Sequence, residues 1–169
     1  MELERAASNH RSMPEPNAPA ALEIEGQDLL HTAVRLPQDL PPGPCVVLFA
    51  FSPGHQSEAR SWVPALTDLA TSRTASVRQV IVLPPFAKLG ERIVFDQLLK
   101  SVPPEAHTAT IVAFTDPDAV AKAAGAADTK SIIVTLLDDR RSIVWTGSGA
   151  HSAELESALR AKIGASPSS

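Results

Sequence analysis

The sequence predicts an α/β fold of three layers, a central mixed sheet with helices on both faces, and three observations predict it. Val46–Phe51 is an unbroken apolar run rich in β-branched and aromatic residues, which suits a strand buried on both faces. After the turn Ser52-Pro53-Gly54, the residues Ala59, Trp62, Val63, Leu66, Leu69 and Ala70 recur at three- and four-residue steps, one apolar stripe of an amphipathic helix. Strands and helices then alternate down the chain and close on two successive strands and a last helix, the order of parallel crossovers followed by a terminal hairpin.

Taken in order, residues 1–21 combine Pro, Asn, Ser and Ala with charge and no sustained period, and read as a flexible tail. The domain is expected over residues 22–164, with 165–169 a frayed end. Leu22–Glu25 and Leu29–Leu36 suit short strands, and Pro37–Pro44, with its prolines and Gly43, an extended connector. The main strand and helix follow, and Pro64 is expected to interrupt and kink that helix. Val77–Leu83 reads as a second buried strand, Glu91–Val102 as a helix stopped by Pro103-Pro104, and Thr108–Phe114 as a third strand. Asp116 is placed to cap a short helix with Pro117 at its first position and Gly125 at its end. Ser131–Leu137 and Ser142–Trp145 suit a hairpin whose polar tip is Asp138–Arg141. Ser152 then caps a helix with Leu155, Leu159 and Ile163 on its inner face, and Glu154 and Glu156 lie in its first turn, where negative charge suits the dipole.

Composition narrows the function. The 169 residues carry a formal net charge of -4, with 44% hydrophobic and 20% charged residues and no tyrosine. That argues against nucleic-acid binding, which wants a basic surface and stacking aromatics. A single cysteine, Cys45, precludes an intrachain disulfide and fits a reducing compartment. No apolar run approaches the roughly 20 residues of a membrane span. The N-terminal stretch has neither a secretory apolar core nor the acid-poor composition of a transit peptide. The location expected is cytoplasmic.

The candidate residues are few. Ser52, His55, Gln56 and Ser57 surround the predicted helix start and can present donors to an anion or to a partner's carboxylate. The simpler reading is a solvated loop with Ser57 as the helix cap. Cys45 stands at the start of the main strand and reads as a buried, inert thiol. His10, His31, His55, His107 and His151 contain no i, i+4 pair, so no metal site is expected, and no cofactor motif occurs. Asp138-Asp139 reads as a hairpin tip and not as a catalytic pair. Trp145 is placed at the end of the last strand, with Gly147 and Gly149 free to turn the chain at positive φ. It is either a rigid aromatic offered to a partner or, the simpler choice, core.

The buried strand, the loop and the helix through Pro64 resemble the active-site unit of thioredoxin-like proteins. Redox-active members carry a Cys-x-x-Cys pair at the helix start. The alignment through Pro64 puts Gln56 and Ala59 at those positions, and neither forms a mixed disulfide. Active members also hold a cis-proline ahead of the strand after their third helix, where this chain reads Asp128-Thr129-Lys130-Ser131. Over Val46–Ile163, and above all in VVLFAFSPGHQSEARSWVPAL and in Ile143–Gly149, the chain resembles the thioredoxin-like assembly-factor family of mitochondrial ATP synthase, whose members also lack both features. That resemblance implies a redox-inactive chaperone or assembly factor that binds another polypeptide, with no cofactor and no membrane insertion, and a mitochondrial matrix location as the alternative. The competing reading is a thioredoxin- or peroxiredoxin-like oxidoreductase that uses Cys45 with an external thiol. A third, a purely structural subunit, would be marked by an exposed apolar patch and self-association.

Overall fold

The computed structural model describes residues 22–165. The expected tail (1–21) and the last four residues (166–169) lie outside them, and Ala165 is the last residue of the final helix. The elements are β1 (Ile24–Asp28), β2 (Ala33–Leu36), β3 (Cys45–Ala50), α1 (Gln56–Thr71), β4 (Ser76–Leu83), α2 (Glu91–Ser101), β5 (Thr110–Phe114), α3 (Pro117–Ala123), β6 (Ile133–Leu137), β7 (Ile143–Ser148) and α4 (Ala153–Ala165). Short 3-10 turns precede α1, α2 and β5.

The seven strands form one sheet in the order β2-β1-β5-β4-β3-β6-β7. β3, β4 and β5 run parallel, and the outer strands pair antiparallel, so the sheet is mixed as expected. Every residue of β3 is buried, because this strand lies between β4 and β6 with helices on both sides. Its residues alternate between two cores. Val46, Leu48 and Ala50 meet Trp62, Leu66 and Leu69 of α1 and Leu159 of α4. Cys45, Val47 and Phe49 meet Val120, Ala121 and Ala123 of α3, together with Leu22, Ile24, Leu36 and Leu40 from the N-terminal part. A smaller cluster seats Phe95 of α2 on Val112 of β5.

Three local expectations change. Leu29–Leu36 is not one strand. The Asp28 carboxylate accepts from the amides of Leu30 and Thr32 at 2.9 Å each, and His31 adopts φ 66°, so the chain turns and β1 and β2 form a hairpin. An aspartate bonding its own backbone two residues on is a turn signal that competes with strand pairing. α1 is not interrupted at Pro64: one helix runs from Gln56 to Thr71. A proline supplies no amide, so the Arg60 carbonyl lacks the usual i+4 donor there. β7 continues past Trp145 to Ser148, which places Trp145 inside the strand and not at its end.

Candidate functional site

The site is the junction where α1 begins. β3 delivers the chain to Phe51, Ser52 is extended at φ -160°, and Pro53–His55 makes a single 3-10 turn. His55, not Ser57, is the residue ahead of the helix, and neither Ser52 nor His55 caps it through the side chain. Ser57 lies inside the first turn. Ser52, Gln56 and Ser57 are exposed.

His55 behaves differently from those three. It is 7% exposed, and both ring nitrogens are committed. Nδ1 accepts from the Phe51 amide at 3.0 Å, and Nε2 lies 3.1 Å from the Lys130 carbonyl. A neutral imidazole that accepts at one nitrogen donates at the other, so the Nε2–H tautomer satisfies both contacts. The ring therefore ties β3's end to the loop ahead of β6 and is not turned to a partner. That loop, residues 128–131, is where active relatives carry the proline, and the contact sets it beside the helix start.

Further stitches hold the same helix turn. Glu58 Oε1 accepts from the Ile132 amide at 3.1 Å. Ser61 Oγ accepts from the His151 amide at 2.8 Å, and Trp62 Nε1 donates to the Gly149 carbonyl at 3.0 Å. The Gly149 amide donates to the Ile132 carbonyl at 3.0 Å, closing the circuit. Trp62 is fully buried, with the His151 ring edge-on at 5.2 Å. His151 Nε2 in turn meets Glu156 Oε1 at 2.7 Å, and Arg160 bridges Glu156 (2.7 Å) and Asp68 (3.0 Å), linking α4 to α1. The His151 hydrogen bond, then that of Arg160, holds the Glu156 carboxyl below its usual range.

The sequence reading singled out the loop and missed Glu58, Ser61 and His151. A glutamate in a first helical turn reads as a dipole partner, and nothing local points to Ile132. Ser61-Trp62 and Gly149 did carry a signal, as separate parts of the family resemblance. They meet in space.

Trp145 is half-buried against the core under α4. A Cβ added to Gly147 would lie 2.6 Å from Trp145 Cη2, so the indole lies across this strand glycine. Gly147 thus serves close packing and not a turn; Gly149 is the position at positive φ (95°). Asp138 closes the hairpin tip by accepting from the amides of Arg140 and Ser142 at 2.9 and 3.0 Å.

Cys45 sits at the far end of β3 from the site, about 20 Å away at roughly 3.3 Å per strand residue. Its side chain is fully buried in the α3-side core. Burial pushes the thiol up from 9.0 to about 11, against the weaker opposing effect of Arg78 and Arg141. Such a group is a thiol at neutral pH, not a nucleophilic thiolate. Among the described residues no three His, Cys, Asp or Glu side chains gather closely enough to hold a metal ion, and no helix is long and apolar enough to cross a membrane.

No family model and no curated protein matches the chain. Solved structures do. An exposed lipoprotein thioredoxin (Etrx1) of Streptococcus pneumoniae superposes with a TM-score of 0.55 at 15% identity, over 84% of this chain and 98% of that one. Yeast Sco1 gives 0.58 at 11% identity, over 91% and 100%. BsSco, a member of the Sco family of cytochrome c oxidase assembly proteins, gives 0.57 at 10%, over 91% and 99%. At such identities the likeness concerns architecture alone. With its mixed sheet, its helices on both faces and these neighbours, the chain has a thioredoxin-like α/β fold.

Proposed function

We propose that this protein acts by binding another polypeptide and carries out no thiol–disulfide chemistry. The observation behind this reading is the occupancy of the junction at α1. Where a redox-active relative presents cysteines, this chain has Gln56 and Ala59, and the helix start that carries them is anchored by His55 and Glu58 to residues 130–132. The lone thiol lies at the other end of β3, buried and protonated. The exposed Ser52, Gln56 and Ser57 are then the residues that meet an extended segment of the partner, with donors and acceptors but no electrons to transfer.

The finer reading is that of a chaperone or assembly factor, as the resemblance to the ATP synthase assembly-factor family implies. The neighbour BsSco, described as belonging to a family of oxidase assembly proteins, supports assembly work as a use of this architecture. Two measurements on the full chain test the proposal. The Cys45 thiol is expected to react with a disulfide reagent only after denaturation, with no turnover in disulfide-reduction or peroxide assays. The folded protein is expected to suppress aggregation of an unfolded model polypeptide, and Gln56→Arg with Ser57→Arg to weaken that suppression. Turnover that disappears in Cys45→Ser would overturn the redox-inactive reading. Absence of any hold on the model polypeptide would remove the chaperone reading.

A further inference from the structure

We propose that this protein forms a two-fold dimer through the outer face of α2 and the 3-10 turn that precedes it, Pro85–Gly90. The first ground is a concentration of exposed apolar side chains. Six large hydrophobic residues among those described are exposed, and Val63 stands apart on α1. Phe86 (74% exposed), Leu89 (96%), Ile93 (63%) and Leu99 lie on the turn and helix. Leu30 is exposed close by on the β1–β2 turn, next to His31, whose ring stacks on Phe95 of α2 at 4.6 Å. A depression of about 720 Å³ lies between that turn and the helix, bordered by His31, Leu89, Phe95 and Leu99.

The area is of the right order. At roughly 150–250 Å² for a large side chain, these five expose on the order of 500 Å² of apolar surface. That is as large as the biggest patch on a typical monomer. With a polar rim it approaches the roughly 800 Å² per partner of a stable interface.

The rim decides the occupant. Around the depression Lys88 and Arg92 alternate with Glu91 and Asp96, a sum of zero, and Lys100 farther along α2 adds one positive charge, in a chain whose net charge is -4. Among the described residues none of the four is in an ion pair, although Arg92 and Asp96 stand one helical turn apart. A two-fold axis sets a patch against itself, so the patch must hold both signs to be complementary. A strongly charged heterologous partner would instead call for one sign. The general repulsion between two acidic copies is absent at this face. A second copy of the chain fits on all three counts.

Sedimentation velocity of the full chain, from low- to high-micromolar concentration, tests this independently of the polypeptide-binding role. The wild-type molar mass is expected to double across the range. Leu89→Glu and Ile93→Glu are expected to stay monomeric while keeping the wild-type circular dichroism and melting curve, since both side chains face solvent. The decisive arm mixes two charge-inverted variants, Lys88→Glu/Arg92→Glu and Glu91→Lys/Asp96→Lys. Each alone is expected to remain monomeric, and the mixture to form a heterodimer. A wild-type chain that stays monomeric at the top of the range overturns the proposal and leaves the patch to a different protein or to a membrane surface. A dimer that survives Leu89→Glu, or charge variants that fail to pair, also overturns it.

Discussion

The imidazole of His55 donates to the carbonyl of Lys130 at 3.1 Å, across 75 residues of sequence, while its other nitrogen receives the Phe51 amide. One side chain thus joins the exit of the central strand to the loop ahead of β6. Replacing it with alanine leaves a buried amide without an acceptor, which costs about 1–3 kcal/mol. His55→Ala is expected to lower the unfolding free energy from urea denaturation by that amount and to speed hydrogen exchange at Phe51. Unchanged protection at Phe51 would show that the ring is not its essential acceptor.

Trp62 offers a second test at the same junction. Trp62→Phe keeps most of the ring in the core but deletes the donor to Gly149. The expected loss is about 1–3 kcal/mol, since the Gly149 carbonyl then lacks its partner. Trp62→Ala adds a cavity and is expected to cost about 3–5 kcal/mol. Chemical denaturation of the two variants separates the hydrogen bond from the packing.

Cys45 sets an alkaline limit. Its folded value of about 11 lies above the usual 9.0, so the fold favours the protonated thiol. Stability from this group is complete below pH 9.0 and is lost as the pH rises through about 11. The size, from about 1.4 kcal/mol per tenfold change in proton affinity, is on the order of 3 kcal/mol. Cys45→Ala is expected to flatten the fall in stability over this window, measured by denaturation at stepped pH. An equally steep fall in the variant would show that Cys45 is not its source.

The link between α4 and α1 acts at the acid end. The Glu156 carboxyl is held low by His151 and Arg160, so its contribution is present above the usual 4.5 and is lost as the pH falls through its folded value. Glu156→Gln is expected to reduce the loss of stability between neutral and acid pH, and Arg160→Ala to do so less. Melting temperatures across that range provide the check.

The central strand, the helices and the closing hairpin were legible because each is written in a local period. Val46–Phe51 describes its own burial and Asp116 with Pro117 its own cap, while of the Ala59–Ala70 stripe Trp62, Leu66 and Leu69 are buried and Val63 and Ala70 are exposed. The first hairpin was not, because Leu29–Leu36 has strand composition while one carboxylate, Asp28, decides that the chain turns. Gly147 misled for a related reason: a glycine after a tryptophan suggests a turn, and here it makes room for the indole of its own strand. At the junction the residue types were visible but their partners were not. His55 reads as an exposed polar residue at a helix start until Phe51 and Lys130 are seen on either side of it. The surface at α2 was not legible because Leu89 and Ile93 have the composition of core residues, and only the packing shows that nothing covers them.

The stitches around α1 also bear on how the molecule is made. His55, Glu58, Ser61 and Trp62 find partners 74 to 90 residues downstream. Contacts this distant in sequence close large loops and form late. A nascent chain released only as far as β5 has made the strand and the helix but holds nothing that fixes their junction. The junction becomes rigid only when the last hairpin and His151 have left the ribosome, so the part of the molecule proposed to meet a partner is among the last to be completed.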